Sequence, residues 1–326
     1  MEKTINIESK EDILKLLNIA LEHEWAVSFE YVIHAYSMPK GVYFYYDPIM
    51  QTERDARAQT IQIGIDEMYH ALQLGIIITQ MGGRPSFQTD KVIRYPRIID
   101  NLTRDKMTED MVTSLYQQAK FKEGSFPEIK NMVWNISYDE VRHSRQFAAM
   151  IDQIKKDGRQ EDLCLAALPD DQVDEKVKNL RQITKLENAL MHHYLKHVIL
   201  FSSHQDLSQR LFKNSIDHMR HWDKNSGILV KLNDVIPLEK ATKDDQGREI
   251  TRQPMPSSYP GENRRTALES LLEKEKEVVA AYEKIIPLFP TGEIKSQLES
   301  QLALDREHLF TLEALLQNLN RIKGIY

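Results

Sequence analysis

Ile65-Asp66-Glu67-Met68-Tyr69-His70-Ala71 sets a carboxylate and an imidazole three residues apart. On a helix, positions i and i+3 share a face, so Glu67 and His70 aim at one point. The same stripe runs on through Ile63, Leu74, Ile77 and Ile78, which marks it as core-facing. A carboxylate there is costly unless it meets an opposite charge, and a metal ion is the strongest partner available. One Glu-x-x-His arises by accident about once in a chain of this length, so the motif needs company.

It has company. Asp139-Glu140-Val141-Arg142-His143 is a second copy, set among Met132, Val133, Ile136, Phe147 and Ile151. Two degenerate copies follow, Asp217-His218-Met219-Arg220-His221 and Leu304-Asp305-Arg306-Glu307-His308. Upstream of each lies a Glu with a Tyr seven residues later: Glu24 with Tyr31, Glu109 with Tyr116, Glu187 with Tyr194, Glu275 with Tyr282. Seven residues are two helical turns, so each pair shares a face. The chain reads as one helical hairpin repeated four times.

Turn chemistry supports the pairing. Residues at equal height on antiparallel helices lie equally far from the turn between them. The midpoint of Glu24 and Glu67 falls at Tyr45-Tyr46, and that of Glu109 and Glu140 at Gly124-Ser125. Glu187 and His218 meet about Ser202-Ser203, and Glu275 and Asp305 about Pro290. All four midpoints lie in turn-forming sequence. The same geometry prefers Glu109 to Glu123, which sits beside the turn.

Between these anchors, residues 9 to 37 read as a long helix capped by Ser9. The first hairpin is the longest, and its excess lies in the aromatic loop from Gly41 to Pro48. That loop either caps a bundle end or packs on another subunit, or it forms a lid. Met81-Gly82-Gly83-Arg84-Pro85 stops the second helix. An irregular crossover then leads to a helix near Ile98, and Pro127 opens the fourth helix. The polar span after Asp157 is the expected domain boundary, giving domains 1–157 and 175–326. Asn233 to Asn263, with Pro237, Pro254, Pro256 and Pro260, reads as an irregular crossover loop.

The 326 residues have room for two ordinary domains. A net charge of −6 and a pI near 6.0 give no electrostatic case for nucleic acid or an anionic membrane. A mean hydropathy of −0.50 suits a helical protein with solvated faces. No apolar run approaches the ~18 residues of a membrane span, and Met1-Glu2-Lys3-Thr4 does not open like a signal peptide. The single cysteine, Cys164, leaves no internal disulfide and no cysteine-ligated cluster. A cytoplasmic location is the expectation.

In the first half, Glu24, Glu67, His70, Glu109, Glu140 and His143 are expected to converge: one Glu from each of two helices, a Glu-x-x-His from each of two more. Four carboxylates balance two divalent cations, and mixed O and N donors suit iron or manganese. Here the sequence resembles the ferritin-like diiron-carboxylate superfamily, near bacterioferritin and rubrerythrin. The resemblance rests on His23-Glu24-Trp25 with Tyr31 and on the two full motifs. It implies an all-α fold of two ferritin-like four-helix bundles in tandem. It also implies that Glu67 and Glu140 bridge two metals, with Glu24 and Glu109 as terminal ligands and one His on each metal. The second half looks like a diverged copy, with Glu187, His218, His221, Glu275, Asp305 and His308 at the matching positions. Three carboxylates and three imidazoles can hold two metals, one, or none. The remaining histidines His23, His34, His197 and His204 read as surface or boundary residues, while His192 and His193 flank the Glu187 face.

What the resemblance implies about function is an oxidase or oxygenase, its catalytic residues the six of the first half. It would activate O2 and oxidise a small-molecule substrate with an external electron donor. Ferroxidase, iron-handling or peroxide-scavenging work is the alternative, and a metal-stapled scaffold a third. Tandem duplication makes a cage of identical subunits awkward; a homodimer is one assembly open to the chain. The run from Glu67 to His70 with Met81-Gly82-Gly83-Arg84-Pro85 also looks faintly like ferritin-like enzymes of pigment and natural-product oxidation.

Overall fold

In the computed structural model, residues 5–122, 124–238, 240–252 and 263–323 are described. Glu123 and Pro254, Pro256 and Pro260 of the expected crossover loop lie outside them. The chain is mainly helical. The helices are α1 (Lys10–Tyr36), α2 (Ala56–Gln80), α3 (Ile98–Gln118), α4 (Pro127–Lys156), α5 (Glu175–Leu200), α6 (Gln205–Lys231), α7 (Arg264–Ile285) and α8 (Glu293–Lys323). Short strands are β1 (Ile5–Ile7), β2 (Phe44–Asp47), β3 (Thr52–Asp55), β4 (Val92–Arg94), β5 (Ala119–Phe121), β6 (Thr242–Lys243) and β7 (Glu249–Thr251).

Local chemistry sets the helix ends. The Ser9 hydroxyl accepts from the Asp12 N–H while the Asp12 carboxylate accepts from the Ser9 N–H, a closed capping box. Asp55, Asp174 and Asn263 cap α2, α5 and α7 through their side-chain oxygens. Pro127 occupies the first turn of α4, where its missing N–H costs nothing.

The chain forms two compact units, Met1–Leu165 with Leu238–Gln253, and Ala166–Pro237 with Pro254–Tyr326. The expected second domain, 175–326, is therefore interrupted: the Leu238–Gln253 segment belongs to the first unit. Its reason is a strand pairing that alternation did not announce. β7 sits between β4 and β6, with Val92 opposite Thr251 and Arg94 opposite Glu249. An ion pair between the Arg94 guanidinium and Glu249 secures the register.

In the first unit α1 packs on α2 and α3, and α4 packs on α3 and α2. α1 and α2 come close at Gly64, where an added Cβ would lie 3.1 Å from the Ser28 carbonyl oxygen. Between them lies a core of Val27, Tyr31, Ala35, Ile63, Leu102 and Phe147. The aromatic loop becomes the β2–β3 hairpin, and β2 packs on α4. Tyr43 and Tyr45 are buried there while Phe44 and Tyr46 face solvent. In the second unit α5 packs on α6 and α7, and α8 on α7 and α6, the same order of contacts. No described helix is long and apolar enough to cross a membrane.

Candidate metal centre

All twelve expected residues are buried, in two groups of six. In the first unit the ligand atoms form two tetrads, Glu24/Glu67/His70/Glu140 and Glu67/Glu109/Glu140/His143. Within each tetrad the donor atoms lie within 4.8 Å of one another. The tetrads share Glu67 and Glu140, and each adds one further Glu and one His. In the second unit the tetrads are Glu187/His218/His221/Asp305 and His218/Glu275/Asp305/His308, sharing His218 and Asp305.

The imidazoles are oriented. His70 turns Nδ1 inward, 2.8 Å from Glu67 and 3.3 Å from Glu140, and Nε2 outward to Asp139 at 3.3 Å. His143 mirrors it: Nδ1 lies 2.7 Å from Glu67 and Nε2 lies 3.3 Å from Asp66. Each outer carboxylate stands one residue before the Glu of the opposite motif. Arg142 ties the two together, 3.0 Å from Asp66 and 3.2 Å from Asp139. A carboxylate behind a ligating histidine fixes its ring and raises its basicity.

Tyrosines cross between the other helices. The Tyr116 hydroxyl donates to Glu24 at 3.2 Å, Tyr194 to Glu275 at 2.6 Å, and Tyr282 to Glu187 at 2.6 Å. Tyr31 instead donates to the Asp105 carbonyl at 3.4 Å.

Burial, then the charge of Glu67, pushes the Glu24 and Glu140 carboxyls well up. Burial also acts on Glu67, but the His143 and His70 charges outweigh it and hold that carboxyl low. Both histidines lose to burial and regain more from Glu67, ending well above the usual imidazole range. The second unit is neutralised differently. His218 spans two carboxylates, with Nδ1 2.6 Å from Glu187 and Nε2 3.0 Å from Glu275. Against burial, its charge holds both of those carboxyls at about 2. Burial and the charge of Glu187 lift Asp305 to about 6.

The donor set fits a metal. Buried oxygens on Glu67, Glu109 and Glu140, and Nδ1 of His143, have no hydrogen-bond partner among the described residues. His143 Nδ1 and Glu67 Oε1 are 2.7 Å apart without the alignment of a hydrogen bond. Apart from the 2.8 Å bond between His70 Nδ1 and Glu67 Oε2, these lone pairs converge without bonding each other, which suits a cation between them. In the second unit both oxygens of Asp305, one of Glu275, and Nδ1 of His221 and His308 are likewise unsatisfied.

Two of the expected surface or boundary histidines are buried. His197 lies within α5 at 0% exposure. His34, at 1%, bonds Asp105 at 2.7 Å and the Ile93 carbonyl at 2.7 Å. Glu30 completes that third group, accepting from the Ile93 N–H and from Arg104. A Glu and a His four apart on α1 were its only sequence signal; Asp105 comes from α3. Nearly every polar atom there is paired within the protein, so the group reads as a strut between α1, α3 and β4. His23 is half-buried and His204 exposed, as expected of boundary and surface positions.

Comparison with protein-family models, curated proteins and solved structures found no match.

Proposed function

We propose that each unit is a four-helix bundle of the ferritin-like kind, arranged in tandem, and that the first holds two iron ions and oxidises a small organic substrate with O2. Manganese is the other metal its donors would accept. The observation that carries this reading is the pair of tetrads sharing Glu67 and Glu140. Two shared carboxylates, with a further Glu and a His on each side, are what two adjacent divalent cations need. Four carboxylates match their charge.

A reduced metal pair there would supply electrons to O2, whose triplet ground state reacts only slowly with closed-shell organic molecules. The protein's own groups do the rest. Asp66 and Asp139 hold the imidazoles in the Nδ1-inward orientation. Tyr116 holds Glu24 in place. The buried core around Tyr31 and Phe147 keeps bulk water away. An external donor would restore the reduced state, since one cysteine provides no cluster in this chain.

Chelator-stripped protein loaded with Fe(II) without air, then mixed with O2, tests this. O2 should disappear faster than with the same free Fe(II), stop after stoichiometric turnover without reductant, and be lost in Glu67→Ala. Fe(II) uptake continuing to hundreds of ions per chain would replace this reading with iron storage.

A further inference from the structure

A cavity of about 260 Å³ opens between the C-terminal end of α3 and the middle of α4. Its inner wall includes Tyr116, whose hydroxyl donates to Glu24, so one side chain separates the cavity from the metal centre. Trp134 and Tyr138, four residues apart on α4, form the rim. They are 49% and 69% exposed, a large aromatic surface left in water. Gln117 and Ser137 add uncharged polar groups, and Ala119 and Val141 complete the lining. None of these side chains is charged, in a chain where charged residues make up 28%. The Lys130 ammonium lies over the Trp134 ring at 5.1 Å but is not part of the wall.

The internal repeat supplies a control. Matching the two halves on Glu109 with Glu275 and on Glu140 with Asp305 sets Glu283 against Gln117 and Arg306 against Val141. Glu299 and Ala303 fall against Trp134 and Tyr138. In the second unit Arg306 and Glu283 form an ion pair at 2.7 Å. An ion pair thus stands where the first unit is uncharged, and the aromatic rim is gone. The uncharged, aromatic lining goes with the unit that has the full carboxylate set.

We propose that this cavity is the substrate site and that it takes a neutral, planar aromatic molecule stacked among Tyr116, Trp134 and Tyr138. The proposal rests on the oxidase reading above. Aromatic walls reward a flat ring, and an uncharged lining penalises a buried charge. The volume lies just below the ~300 Å³ at which drug-sized sites begin, so a one- or two-ring molecule suits it.

The test uses metal-free, full-length, ¹⁵N-labelled protein, in which the three tryptophans give three indole N–H signals. Trp134→Phe assigns the relevant one. Titration with 2-naphthol should shift the Trp134 signal and leave Trp25 and Trp222 in place, and cyclohexanol should shift none. Gln117→Glu with Val141→Arg, which copies the second unit's ion pair, should weaken 2-naphthol by about 2- to 10-fold, on the scale of one aromatic stack. If that pair misfolds, Ser137→Leu narrows the cavity to the same effect. An unmoved Trp134 signal, wild-type affinity in the narrowed variant, or 2-naphthoate binding tenfold more tightly than 2-naphthol would each overturn the proposal. Binding is read without metal, so the two readings fail separately. Protein that takes 2-naphthol yet ignores O2 after Fe(II) loading overturns the oxidase reading alone. Protein that consumes O2 while Trp134 stays still overturns the cavity alone.

Discussion

His70 and His143 keep their rings in place through Asp139 and Asp66, and the second unit shows what losing one such partner does. Asp217 lies 3.4 Å from His308 Nε2, but the position matching Asp139 is Leu304. His221 Nε2, buried, has no hydrogen-bond partner among the described residues. Asp139→Leu should impose the same loss on His70 and weaken metal binding in the first unit by about 10–100-fold. Competition with a chromogenic chelator measures this; unchanged affinity would mean that the outer carboxylate is idle. The convergence of the six candidate residues in each unit could be read because their spacing follows the helix period. Asp66 and Asp139 stood beside them in plain sight, but their role depends on how α2 and α4 rotate against each other. Glu30, His34 and Asp105 were harder still, since 71 residues separate the bonded His34 and Asp105.

The β2–β3 hairpin is pinned to α4 through Asp47. Its carboxylate accepts from the Ile49 and Met50 N–H groups, from the Tyr45 hydroxyl, and from Gln146 of α4 at 2.7 Å. Asp47→Ala leaves the buried Tyr45 hydroxyl and Gln146 amide without their acceptor and should cost about 2–4 kcal/mol in urea unfolding. Burial raises this carboxyl, but the four donors outweigh it and set its pKa below the usual 3.8. A depressed carboxylate stabilises the fold above its unfolded pKa and loses that contribution as pH falls through the folded one. The advantage of wild type over Asp47→Asn should therefore be full near neutral pH and shrink below about pH 4. A gap that stays constant or widens in acid would contradict the role given to Asp47. At this scale the helices were legible from their apolar period, from the Ser9 cap, from Pro127 and from the Gly82-Gly83 stop; the caps Asp55, Asp174 and Asn263 were not. The strands were not: they are two to four residues long, too short for alternation to show. β4 and β7 pair residues more than 150 positions apart, and nothing local announces that.

Across the whole molecule, one hairpin pattern is used four times and its two halves have parted in chemistry. The first unit keeps four carboxylates, and its two motif imidazoles, His70 and His143, crowd chiefly onto one of them, Glu67. The second has placed the His218 imidazole between Glu187 and Glu275, and a metal there would have to break an ion pair that already exists. An imidazole nitrogen binds a single metal, and Asp305 reaches less far than Glu. The divergence could be read from His218 and Asp305 as letters; the way His218 fills the gap could not. Nor could the return of the Leu238–Gln253 segment to the first unit, because its crossover has no hydrophobic period to follow. The central claim is that two metal ions sit between Glu24, Glu67, His70, Glu109, Glu140 and His143. Iron-reconstituted protein, desalted and assayed for metal per chain, tests it most directly in three forms: wild type, Glu67→Ala, and His218→Ala with His308→Ala. Wild type should exceed Glu67→Ala by two ions per chain, and the double histidine variant should retain those two. Equal metal content in wild type and Glu67→Ala would contradict the account.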